Sequence, residues 1–203
     1  MAEELSLRER KKLDTRRALS DATLNLAFER GLDNVTREDI AAAAGVSVRT
    51  FNNYFANKFE ALAYRNLDRI RRSLDEFRAR PDDEPLWTAI AESIVAPFVA
   101  DGIRDVPPTK AQLTGVRTLI EVAQNHVPIG KELTDEWVAA IARRTGTDPE
   151  RDMYPHLVAG VIIAVMRAAA RAYVNADPPV LITGLLRQGF DGVAAGLPEP
   201  SGH

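Results

Sequence analysis

One stretch restricts this chain more than any other: Thr36-Arg37-Glu38-Asp39-Ile40-Ala41-Ala42-Ala43-Ala44-Gly45-Val46-Ser47-Val48-Arg49-Thr50-Phe51-Asn52-Asn53-Tyr54-Phe55-Ala56-Asn57-Lys58. Thr36 is an N-cap residue with Asp39 three positions on, a weaker relative of the capping box. Ile40, Ala41 and Ala44 face inward, and the small alanines let a second helix approach closely. Gly45 ends the first helix, Val46 plugs the turn, and Ser47 caps the next helix. Phe51 and Phe55 stand four apart on one face of that helix. Its opposite face is too polar to bury. Two short helices joined by a tight turn, one of them amphipathic in this way, read as a helix-turn-helix. In that motif the second helix lies in the major groove of DNA and the first braces it across the backbone.

The exposed side of the second helix offers Val48, Arg49, Asn52 and Asn53 to base edges. Arginine pairs with guanine O6 and N7, and asparagine with adenine N6 and N7. Thr50 and Tyr54 look like phosphate contacts, and Ser47, the cap of this helix, is counted with the DNA-binding residues. Lys58 stands beside the N-terminus of the following helix, whose free N–H groups favour an anion. Thr36 and Arg37, at the start of the bracing helix, reach a further phosphate. On this reading Lys58→Ala lowers the salt dependence of binding, while Arg49→Ala or Asn52→Ala changes sequence preference. On residue types alone a packing helix in a protein that binds no DNA remains the alternative, and so does a solvent-facing Arg49.

The string resembles the DNA-binding domain of the tetracycline-repressor (TetR) family of bacterial regulators over residues 13–62. The matching parts are Phe28-Glu29-Arg30-Gly31, Thr36 to Ala41, Ala44-Gly45-Val46-Ser47, Thr50, Tyr54-Phe55, Lys58 and Ala61-Leu62. The resemblance implies backbone contacts from Thr50, Tyr54 and Lys58, and base reading from Val48, Arg49, Asn52 and Asn53. Many members carry tyrosine where this chain has Asn52, and a small residue where it has Arg49. That departure implies a different operator.

Charge supports a local reader and not a generally basic protein. The 203 residues carry a net charge of −3, and the first 60 hold ten basic and ten acidic side chains, so the whole chain shows no basic bias. Between Val46 and Arg72, however, six basic residues face two acidic ones. Arg8, Arg10, Lys11, Lys12, Arg16 and Arg17 add a basic N-terminal run that would flank a phosphate backbone or form a solvated helix end.

Helical periodicity continues to the C-terminus. Helices are expected over 10–30, ended by Gly31 in the left-handed conformation, then 36–44, 47–55 and 57–80, the last stopped by Pro81-Asp82-Asp83-Glu84-Pro85. Further helices follow over 86–99, with Pro97 bending or ending it, then 109–123, 130–145, 150–175 and 180–195. Pro155 puts the true start of the eighth at Met153 or Tyr154. The expected fold is all-α with about nine helices: a three-helix DNA-binding head over 1–60 and a helical effector-binding and dimerisation body over 61–203.

A head of this size reads few bases, and two copies related by a two-fold axis read a palindrome. A homodimer on a double-stranded DNA operator is therefore expected. The last two helices are the candidate dimer surface, through Val158, Val161, Ile162, Val165, Leu181, Leu185 and Phe190. The alternative is that this helix is buried in its own subunit. An effector cavity would be lined by Trp87, Ile90, Phe98, Leu113, Arg117, Ile120, His126, Trp137 and Tyr173, each of which is a core residue on the plainer reading. Mostly aliphatic surroundings favour a hydrophobic small molecule, with Arg117 for a carboxylate or phosphate. The 119–173 region resembles a subgroup of actinobacterial TetR-like regulators in which acyl-CoA or fatty-acid-like effectors are known, which implies an effector of that kind.

Several classes fall away. The chain has no cysteine, which removes thiol catalysis and thiolate metal sites. His126, His156 and His203 show no ligand spacing, so no metal or other cofactor is expected, and Asp148, Glu150 and Asp152 near His156 make at most a surface site. No glycine-rich nucleotide loop and no serine–histidine–acid set is present, so an enzyme is not expected. No signal peptide is read, and the apolar run 157–170 is too short to span a bilayer, so the expected location is the cytoplasm without membrane contact. The remaining alternatives are an activator and a constitutive DNA binder without an effector.

Overall fold

The computed structural model describes residues 6–103, 107–109, 113, 116, 117, 120 and 130–199. Among these there are eight α-helices and no strand. They are α1 (Leu7–Arg30), α2 (Arg37–Ala43), α3 (Val48–Tyr54), α4 (Lys58–Ala79), α5 (Leu86–Ala100), α6 (Lys131–Thr145), α7 (Met153–Asn175) and α8 (Ile182–Ala194). A short 3-10 turn, Leu32–Asn34, links α1 to α2. Most of the helix expected over 109–123 lies outside the described residues, as does His126. Of that segment Leu113, Val116, Arg117 and Ile120 are described as helical.

The first compact unit runs through Asp68, with 114–128. The expected boundary at 60/61 falls inside α4, whose first half belongs to this unit. α1 begins three residues before the expected start. Ser6 caps it in a full capping box: the Glu9 N–H donates to Ser6 Oγ at 3.3 Å, and the Ser6 N–H donates to Glu9 Oε2 at 2.9 Å. Gly31 has φ 79° and ψ 141°. This is not the left-handed helical conformation expected there, but a more extended region open essentially to glycine alone. The unit's core gathers Leu19, Ile40, Phe51, Phe55, Ala61 and Tyr64. Polar groups within it find partners: Ser20, fully buried on α1, donates to the Ala61 carbonyl of α4 at 2.7 Å. Arg17 donates twice to the buried Asp68, and Arg65 pairs with Asp21.

The second unit takes Arg69–Leu113 and the chain from Ile129 on. Its core is built from Ile70, Leu74 and Phe77 of α4 with the inner faces of α5 to α8. α5 packs on α8, α8 on α7 and α7 on α6. Pro97 lies in the last turn of α5, and the helix continues to Ala100. Arg144 ties the end of α6 to the α4–α5 link, donating to the Pro81 carbonyl at 2.6 Å and the Glu84 carbonyl at 2.8 Å.

Two expectations about the last helices need correction. Val158, Ile162, Val165 and Phe190 are 1–8 % exposed and lie in the subunit's own core, so they do not face a partner. Val161 and Leu185 are half-buried against that core, and Leu181 is half-buried at the N-cap of α8. α7 needs this inner stripe because it packs against both α6 and α8, and it is the same stripe that made it look suited to a dimer. Second, the apolar run 157–170 was expected to be too short to span a bilayer, but α7, the helix that contains it, which starts at Met153 as expected, is longer than the run. Its 23 residues are long and apolar enough to cross a membrane by length and composition. One stripe of it lies in the core of the second unit, and Arg167 and Arg171 stand on its exposed face.

Candidate nucleic-acid interface

α2 is held at its start by Thr36. The Asp39 N–H donates to Thr36 Oγ1 at 3.2 Å, and the Asp39 carboxylate accepts from the Thr36 N–H at 3.0 Å and its hydroxyl at 2.6 Å. The box is complete and not the weaker form expected. These bonds, reinforced by Arg30 at 3.4 Å, hold the Asp39 carboxyl below the usual range. The turn closes with the Gly45 N–H on the Ala42 carbonyl and the Val46 N–H on the Ala41 carbonyl. Gly45 has φ 67°, the left-handed conformation that this double closure needs.

α3 starts at Ser47, whose Oγ accepts from the Thr50 N–H at 3.1 Å. The Ser47 and Thr50 hydroxyls also bond each other at 2.9 Å. Phe51 and Phe55 are buried, with ring centroids 6.0 Å apart, and Tyr64 of α4 meets Phe55 edge-on at 5.6 Å. Arg49, Asn52 and Asn53, at i, i+3 and i+4, are all exposed on the opposite side. Val48, Thr50 and Tyr54 are half-buried at its margins, and Ser47, Thr36 and Arg37 are exposed beside them. The ten residues expected at DNA thus lie on α2, α3, their caps and the start of α4, within one compact unit.

Two basic residues have roles that the sequence did not suggest. Arg16, read as part of a phosphate-flanking run, lays its guanidinium over the rings of Phe55 and Tyr64 at 5.4 and 5.0 Å and donates to the Tyr54 carbonyl at 3.5 Å. It seats the end of α3. Lys58 donates to the carbonyls of Leu32, Val35 and Asp33 at 2.8, 3.0 and 3.2 Å. An ammonium has three N–H donors. All three are engaged within the head, so Lys58 is a clip between α4 and the link before α2 and not a free cation. The only sequence sign of it was a lysine just after a helix start, which reads equally well as a phosphate contact.

The residues expected around an effector are divided between the two units. Arg117 and Ile120 fall in the first, where Arg117 is exposed and Ile120 half-buried. In the second, Ile90 and Leu113 are buried. Trp87 stacks near Phe190, and Phe98 lies under the Arg69 guanidinium. Tyr173 is half-buried, and burial pushes its phenol above the ordinary value. Trp137 packs on Phe77 and borders a small apolar cleft with Ile70, Thr134, Ala159, Ile163 and Met166. Its Nε1–H is buried without a hydrogen-bond partner. Among the described residues no group of three or more histidine or acidic side chains is arranged to hold a metal. His156 Nε2 instead pairs with the Pro149 carbonyl.

An all-α chain with a braced, outward-facing, polar α3 is a helix-turn-helix regulator of transcription. The comparisons with known proteins make this definite. The family model described as "Bacterial regulatory proteins, tetR family" matches residues 19–63, and one described as "MftR C-terminal domain" matches 132–198. The chain is 29% identical over 185 residues to the HTH-type transcriptional regulator TcmR of Streptomyces glaucescens, covering 84% of this chain and 78% of that one. It is 26% identical over 196 residues to MftR of Mycobacterium tuberculosis, named as a mycofactocin biosynthesis transcriptional regulator, covering 93% of each. The fold is shared with Thermus thermophilus FadR, a TetR-family repressor solved with lauroyl-CoA, at TM-score 0.52 and 18% identity over 92% of this chain and all of that one. This chain belongs to the tetR family of bacterial regulatory proteins, and is a transcriptional regulator and not an enzyme.

Proposed function

We propose that the protein is a ligand-responsive repressor that binds a palindromic operator as a homodimer in the cytoplasm and is released by a small hydrophobic or acyl-type effector. The observation that carries this reading is α3 itself: Phe51 and Phe55 anchor one side, and Arg49, Asn52 and Asn53 stand exposed on the other. Tyr54 borders that face with its phenol, and of the Ser47–Thr50 pair one O–H is left for a phosphate; the Thr36 O–H is committed to Asp39, and Thr36 serves the face by fixing the start of α2.

A dimer is supported by the outer face of α7. Met153, Tyr154 and Leu157 are 76, 44 and 53 % exposed, and Gly160, Ala164 and Ala168 continue that face with small side chains. An apolar patch of this kind on a core helix suits the same patch on a second copy. An effector in the body is supported by the buried, unpaired Trp137 Nε1–H, on a residue that borders the apolar cleft; the cleft is about 20 Å³, so a ligand of acyl size enters only if the surrounding helices part. The lauroyl-CoA named for the T. thermophilus protein favours the acyl class. α4 contributes to both units, so a ligand that favours one placement of its second half biases the first half, which carries the head.

The test is selection of bound fragments from random DNA with the purified protein, repeated with acyl-CoA and fatty-acid compounds. A palindromic motif released by one of them is expected. Enrichment of no sequence overturns the reading.

A further inference from the structure

The geometry points to Arg37 as a specificity-determining residue that acts through Asn52, setting that position of the reading helix to guanine in place of adenine. The inference rests on the DNA-binding reading above. Arg37 opens α2 and Asn52 lies on α3, fifteen residues on, yet Arg37 Nη1 donates to Asn52 Oδ1 at 3.3 Å. Both side chains are exposed on the face that carries Arg49 and Asn53.

The chemistry follows from which amide atom is engaged. An asparagine that reads adenine uses both ends of its amide, Oδ1 accepting from N6–H and Nδ2–H donating to N7. Here one lone pair of Oδ1 is taken by the guanidinium, and the positive charge held against it disfavours a second donor there, so the amide presents its N–H groups. A guanidinium has five donors and no acceptor, so it holds Oδ1 without adding any acceptor beside the amide. The pair is therefore a surface of donors. Guanine offers only acceptors, N7 and O6, at the corresponding major-groove edge, whereas adenine places its N6–H₂ donor there. Donor would face donor at adenine, and guanine is preferred. Arg37 was expected to reach a phosphate, which carries no sequence information. In this arrangement it carries sequence information by holding its neighbour.

The test is selection from a library randomised across the operator half-site, using the full-length wild type, Asn52→Ala, Arg37→Met and the double variant. The column that Asn52→Ala flattens belongs to Asn52. Guanine is expected there in the wild type. Arg37→Met, which keeps the apolar stem, is expected to move that column towards adenine by about tenfold in relative enrichment while the others stay. In the Asn52→Ala background the same change is expected to leave the column as it was, an outcome that general loss of structure does not produce. Should Arg37→Met bind too weakly to select, Arg37→Gln supplies the same comparison. Adenine in the wild-type column, or a column unchanged by either Arg37 variant, overturns the inference while leaving DNA binding intact. Enrichment of no motif by the wild type overturns the DNA-binding reading and this inference with it.

Discussion

Replacing Lys58 separates two roles that the sequence alone does not distinguish. A phosphate-binding lysine predicts that Lys58→Ala flattens the fall of log K with log salt by about 0.9 for each phosphate no longer neutralised. The clip predicts no change in slope and a loss of stability instead. A hydrogen bond from a charged donor contributes about 1.5–3 kcal/mol. Three made by one half-buried ammonium do not add, because its desolvation is shared and water reaches the freed carbonyls. A loss of about 2–4 kcal/mol is the expected scale for the set. It falls on the link between α1 and α2, since Leu32, Asp33 and Val35 supply the acceptors. Urea unfolding and hydrogen exchange of the α2 and α3 amides measure the stability, and fluorescence titration of labelled operator over a range of salt measures the slope. Affinity should drop uniformly, giving parallel lines. Lys58→Arg should not restore it, because a planar fork cannot aim three N–H groups at three converging carbonyls. A reduced slope with unchanged stability, or full rescue by arginine, would refute the clip.

Three further outcomes are expected. Asp39 has a lowered pKa through its bonds to Thr36, so its contribution to α2 is complete above the ordinary carboxylate range near pH 4 and is lost as pH falls through the lowered value. Protection of the α2 amides, taken relative to their intrinsic exchange rate at each pH, should fall on that descent, and Asp39→Asn should remove the dependence. Gly189→Ala should cost about 1–2 kcal/mol, although a helical glycine is replaced, because the new Cβ would lie 2.7 Å from Val165 Cγ1 on a stiff β-branched side chain. Thermal unfolding should show Val165→Ala recovering part of that loss in the double variant. Leu157→Glu, on the outer face of α7, should leave helical content intact and yield a monomer by sedimentation with weakened operator binding. A dimer that survives it would exclude that face.

The head was legible because its signals are local. Thr36, Gly45 and Ser47 each act within four residues of themselves, through caps and a positive φ, so no distant partner was needed to place them. α1 starts at Leu7 and not at Arg10 because Ser6 and Glu9 close a capping box there, a signal that is equally local. Polar partners across helices were not legible. Arg16, Arg17 and Lys58 read as basic groups for a phosphate backbone, yet they end on aromatic rings, a buried carboxylate and three carbonyls. A long basic side chain looks the same in sequence whether its charge faces solvent, a phosphate or a neighbouring helix.

The body shows the same division on a larger scale. Periodicity placed α5 to α8 to within a few residues, because helix formation and its stops depend on near neighbours. Which side of α7 is covered depends on where α6 and α8 lie, and a helix that is apolar nearly all round carries no mark of that choice. So the amino-acid order was sufficient for an all-α chain with a DNA-reading turn and for the residues that face outward on α3. The assembled chain was needed to turn Val158, Ile162 and Val165 inward, to leave Met153, Tyr154 and Leu157 outside, and to bring Arg37 onto Asn52. Those are contacts between elements, and their energies enter only when packing selects one arrangement of the helices over the others.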